Sequence, residues 1–130
     1  MNVKELAHET LIAAKILPKE NVLIDVINPD WEGWTQIYIT SEPMEPEDQT
    51  QFGIVSAVTK MAIHVIAQKR EDAKNIGHTA ATAAYNKFTQ LERMRGSGIL
   101  CITFLETNVF QIQQRAEYQS TFTFRILHKP

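Results

Sequence analysis

From Tyr118 to Leu127 the chain alternates almost without error. Tyr118, Ser120, Phe122, Phe124 and Ile126 fall on one side; Gln119, Thr121, Thr123, Arg125 and Leu127 fall on the other. Successive side chains of a strand point to opposite faces of its sheet, so a period of two rich in aromatic and β-branched residues marks a half-buried strand. Just upstream, Ile99–Leu105 is a second apolar run, set off by Gly96-Ser97-Gly98. Thr107–Gln114 reads as a turn or irregular arm, and the run Gln114-Arg115-Ala116-Glu117-Tyr118 as the turn into the last strand. A chain that ends in such a hairpin must find apolar cover for one sheet face.

That cover is written elsewhere in the chain. Residues 2–16 suit an amphipathic helix with Asn2 as N-cap, Val3, Leu6, Ala7, Leu11 and Ala14 as its stripe, and Pro18 beyond its end. A second helix starts at Asn75 or Thr79 and runs to about Met94, burying Ile76, Ala80 or Ala81, Ala84, Phe88 and Leu91. Its alanines allow close approach to a sheet. Asn21–Ile27 and Trp34–Thr40 read as strands, the latter burying Trp34, Ile37 and Ile39. Asn28-Pro29-Asp30 reads as a turn. Ile54–Gln68 suits a strand better than a helix, because it is β-branched toward its middle. Lys69–Lys74 is charged and turn-like. Between Ser41 and Gln51, two prolines and four acids predict an exposed, acidic, extended loop. The expected fold is α+β: a mainly antiparallel sheet of four to five strands, with two helices packed on one face.

With 130 residues, the chain reads as one domain that buries enough surface to need no metal or disulfide. Its one cysteine, Cys101, excludes an intrachain disulfide and reads as a small buried hydrophobe. No apolar run is long enough for a membrane helix, and the first residues do not read as a signal peptide. A reducing, cytoplasmic place of synthesis fits. The formal charge of −2 hides a division: residues 1–50 hold ten acids and three bases, residues 51–130 five acids and ten bases. Opposite patches of that kind suit an oligomer in which one subunit's acids meet another's bases.

No catalytic, metal-binding or cofactor-binding constellation stands out. Phosphate loop, paired cysteines and His-Glu-x-x-His are all missing. His8, His64, His78 and His128 lie on separate elements; His8 reads as a solvated helix face and His64 as a packed or hydrogen-bonded residue. An apolar strand is a poor setting for a nucleophilic Cys101. Lys69, Arg70, Lys74, Lys87, Arg93 and Arg95 make a modest basic surface, but the pI of about 6.1 argues against a DNA reader. One of Trp31 and Trp34, if exposed, is a candidate interface anchor.

The layout resembles that of the small tail-terminator, tail-completion and neck proteins of tailed bacteriophages. Four features carry the likeness: the N-terminal helix leading to a strand pair, the acidic segment before Ile54–Gln68, the alanine-rich helix Thr79–Met94, and the closing Gln-Arg-Ala-Glu-Tyr-Gln-Ser-Thr-Phe-Thr-Phe-Arg hairpin. The resemblance covers about residues 20–127. It implies a virion subunit that assembles as a homo-oligomeric ring, commonly a hexamer, at the head-proximal end of the tail. Its partners there are the tail-tube protein and the head connector, with DNA only as passing cargo. A ring needs two different patches that meet. Glu42, Glu45, Glu47 and Asp48 on one side, with Arg93, Arg95 or Arg115 on the other, are the candidate pair. The competing readings are a head-completion protein of the neck, a small dimeric binding module, and an enzyme whose site forms between subunits.

Overall fold

In the computed structural model, residues 2–27, 34–50, 53–112 and 116–130 are described, with the backbone alone at 48–50, 54 and 55. Helix α1 (Val3–Ala13) is capped by Asn2, whose side chain accepts the Glu5 amide at 3.0 Å. Such a cap is worth about 1 kcal/mol. A short 3-10 turn leads to β1 (Val22–Ile24), then β2 (Gln36–Ser41), β3 (Glu45–Thr50) and β4 (Gly53–Ala67). Helix α2 (Arg70–Glu92) precedes the long hairpin β5 (Ile99–Ile112) and β6 (Glu117–His128). The strands form one six-stranded sheet ordered β1-β2-β4-β6-β5, with β3 also paired to β4. Among the described residues every pairing is antiparallel except β1 with β2. The fold is therefore α+β, with one strand more than the sequence led us to expect.

Both helices lie on one face. They bury Leu11, Ala80, Ala84 and Phe88 against Ile37, Ile39, Met61, Ile63, Phe122, Phe124 and Ile126. The alternation of β6 holds: Ser120, Phe122, Phe124, Ile126 and His128 are buried in turn, although Tyr118 is half-buried. Helix α2 touches this face closely at Gly77. A Cβ there would lie 2.6 Å from the Phe122 ring and collide with the Ser120 hydroxyl. That hydroxyl instead donates to the Ala73 carbonyl at 2.6 Å, tying strand to helix inside the core.

Several boundaries differ from the sequence expectation. The segment expected as an acidic loop is extended and exposed, but over Glu45–Thr50 it is strand β3, paired to β4. It tolerates Pro46 and its charges because it adds to the edge of the sheet, and its register is broken around Asp48. Strand β5 does not stop at Leu105. It runs through Glu106, Thr107 and Asn108 to Ile112, because pairing with β6 satisfies its backbone while its polar side chains stay exposed. Lys69–Lys74 is not a turn: α2 begins at Arg70, and Glu71 and Asp72 suit the positive end of the helix dipole. Trp34 is not buried but 63% exposed, just before β2. The Asn28-Pro29-Asp30 turn, Trp31 and Arg115 lie outside the described residues.

Candidate assembly interface

Cross-strand register divides the sheet into rows. Thr40, Ala62 and Thr123 share one row; Tyr38, His64 and Thr121 share the next. These side chains lie on the face away from the helices. Here His64 is the centre of a hydrogen-bonded group. Its Nε2 lies 2.8 Å from Thr40 Oγ1, and its Nδ1 lies 2.9 Å from Thr121 Oγ1 and 3.2 Å from the Gln119 amide nitrogen. The amide donates to Nδ1, so the neutral ring carries its proton on Nε2 and donates it to Thr40. The Tyr38 ring stacks on it at 4.4 Å. Burial lowers the imidazole pKa from 6.5 to about 4. Burial also raises the Tyr38 hydroxyl, against a smaller lowering by its hydrogen bond to Gln119.

The depressed pKa has a pH consequence. The unfolded chain takes up a proton near pH 6.5 and the folded one only near 4, so between these values unfolding binds protons. The contribution is present in full above pH 6.5 and is lost as pH falls toward 4. The ring is only part-buried and solvent screens it, so the expected loss is about 1–2 kcal/mol. Urea midpoints measured from pH 7.5 to 4 should fall, and His64→Gln should flatten that part of the slope. An equal slope in the variant would mean that other groups cause it.

The remaining histidines are structural or peripheral. His8 is half-buried rather than solvated, and donates to the Val22 carbonyl at 2.9 Å. His128 is fully buried: its Nδ1 donates to the Lys129 carbonyl at 2.7 Å, leaving Nε2 to accept from the Thr59 hydroxyl at 2.8 Å. Nothing in its sequence neighbourhood signalled that burial except its place in the β6 alternation. Cys101 is half-buried rather than enclosed, because it sits on an outer strand. Among the described residues no group of three or more His, Cys, Asp or Glu is placed to hold a metal ion. Nor is any helix among them long and apolar enough to cross a membrane.

The candidate interface residues lie on opposite sides of the sheet. Glu42 follows β2, and its amide donates to the Lys60 carbonyl at 2.9 Å. Glu45, Glu47 and Asp48 are on β3; Glu42, Glu45 and Glu47 are exposed. Glu47 also makes a partly exposed ion pair with Arg125 at 3.1 Å. Arg93 caps α2 and Arg95 follows it, both exposed, beside the start of β5. The fold thus brings the acids together on one edge and Arg93 and Arg95 together on the other. It does not bring the two sets together within one chain.

The β5 edge is also apolar. Leu100, Phe104, Leu105 and Phe110 are 41–47% exposed along it. Phe104 meets Phe124 edge-on at 5.6 Å, and with Tyr85 and His78 of α2 lines an open groove of about 380 Å³. A long outer strand with large exposed apolar side chains is a surface that monomers usually avoid. The sequence showed only that Ile99–Leu105 is an apolar strand, not that it lies at an edge of the sheet.

The fold has a counterpart among solved structures. The chain is similar to one in the virion of a native gene transfer agent (GTA) particle, with a TM-score of 0.59 and 17% sequence identity, over 95% of this chain and 92% of that one. At that identity the likeness is one of fold. No family model matches the sequence, and no curated protein does either.

Proposed function

We propose that this chain is a structural, non-catalytic subunit of a phage-like virion. It assembles into a homo-oligomeric ring, of six copies in the simplest case, at the head-proximal end of a tail. There it ends tail-tube polymerisation and presents a surface to the head connector. The observation that carries this reading is the fold shared over nearly the whole chain with a virion component. Opposite charges on opposite sheet edges support it, because a closed ring joins two different patches of one subunit. Exposed Glu42, Glu45 and Glu47, with Asp48 in the same segment, would face Arg93, Arg95 or Arg115 of a neighbour, steering approach and selecting register.

Deleting the gene in a strain that produces particles tests the reading. Tails of uncontrolled length, unjoined to filled heads, are the expected phenotype in electron micrographs. Normal tails on normal heads would rule the role out. A stable dimer that never associates further, with or without tail-tube protein, would instead favour a small binding module.

A further inference from the structure

The register shows at which height the two charged edges stand. Glu45 of β3 pairs with Val58, Val58 with Leu127, and Leu127 with Cys101 of β5. Glu45 and Cys101 are therefore the two ends of one row, with their side chains on the same face of the sheet. The next row runs from Pro46 through Ala57 and His128 to Ile99. Beyond it, β3 continues past the end of β6 through Asp48, paired with Ser56. At that height, on the opposite edge, the Lys129 amide donates to the Gly98 carbonyl at 2.8 Å, in the turn that follows Arg93 and Arg95 at the end of α2. The acids of β3 and the turn that carries the two arginines thus lie toward the same end of the sheet. Glu106 of β5 lies away from this end, paired with Thr123, and Glu92 is the one carboxylate beside the two arginines in sequence.

From this registry we infer that the β3 edge of one copy lies along the first half of β5 of a second copy, with Glu45 level with Cys101. This rests on the ring reading and specifies its contact. Three features of the structure select that occupant. The chain directions fit: β3, β4, β6 and β5 alternate, so a neighbour's β3 meets β5 antiparallel. The charges fit: β3 against β3 sets acids against acids, β5 against β5 offers Arg93 and Arg95 no acidic edge, and the mixed pairing is complementary. The heights fit: matching patches on one level generate a closed ring, whereas offset patches generate a helical filament. Pro46 and the acids, which keep β3 from pairing indiscriminately, leave it open to a partner that supplies cations. The same contact would cover exposed Leu100.

Cys101 is the only cysteine, which allows a direct test. In one molecule, residues 45 and 101 stand three strand spacings apart, about 14 Å, beyond the roughly 7 Å that a disulfide spans between Cα atoms. A Glu45→Cys variant under mild oxidation should therefore give a ladder of disulfide-linked oligomers up to the ring size, whereas wild type stops at dimers. Glu45→Cys with Cys101→Ser should also stop at dimers. Cysteine placed at Tyr118, at the far end of the sheet, should give no ladder. Rings seen by light scattering and microscopy without the ladder would overturn the edge pairing and leave the ring reading intact. No assembly under any condition, with wild type and tail-tube protein together, would overturn both.

Discussion

Replacing Phe88 by alanine is expected to remove about 3–5 kcal/mol of folding stability, the largest effect of any single substitution considered. The ring is fully buried where α2 meets the sheet, within the cluster that joins Ala84 to Ile63, Phe124 and Ile126. Neighbours on a long helix and a continuous sheet cannot close in on the void, so the cost combines lost transfer energy with an unfilled cavity. A domain of this size has roughly 5–15 kcal/mol in total. The variant should therefore unfold at a much lower urea midpoint, with its slope nearly unchanged. A loss below about 1 kcal/mol would mean that α2 is not the main lid of the core.

Reversing Glu45, Glu47 and Asp48 together to lysine should weaken self-association by roughly a hundredfold or more, since like charges across an interface cost several kcal/mol. The effect should be strongest in low salt and shrink as ionic strength rises, because solvated pairs are screened beyond roughly 10 Å at 0.1 M. Folding should be little affected: Glu45 and Glu47 are exposed, and the Glu47–Arg125 pair is a surface one. Light scattering across protein and salt concentrations, with circular dichroism as the folding control, reads both. Unchanged association would remove the acidic edge from the contact. Adding Arg93→Glu and Arg95→Glu in the same chain should restore part of the association if those are the partners.

Much of the fold was legible from local pattern. The alternation of β6 and the apolar stripes of both helices each belong to one segment, and burial follows period there, except at Ala14, which lies past the end of α1 and is exposed. The strand over Ile54–Gln68 was legible for the same reason, since β-branched residues fit a covered sheet. The misreadings share one cause. Acidic β3, polar Glu106–Asn108 of β5 and charged Lys69–Lys74 carry side chains that look like loop, yet their backbones pair in the sheet or begin a helix. A strand edge or a first helical turn needs hydrogen-bond partners and no burial, and those partners come from segments distant in sequence. Trp34 failed in the opposite direction. Its size suggested core, but β2 has its buried positions at Gln36, Ile37 and Ile39, one turn of chain later.

The candidate interface followed the same division. The sequence by itself determined that acids crowd the first fifty residues and bases the remainder, that one cysteine is present, and that no catalytic constellation recurs at a known spacing. These are properties of composition and spacing, and folding does not alter them. Only the tertiary structure decided that Glu45 and Cys101 end the same row, that Arg93 and Arg95 stand across the sheet from β3, and that Leu100 and Phe104 are left partly exposed. Register and strand order depend on which backbones pair, and that pairing is a long-range choice made when the whole sheet buries one face beneath two helices.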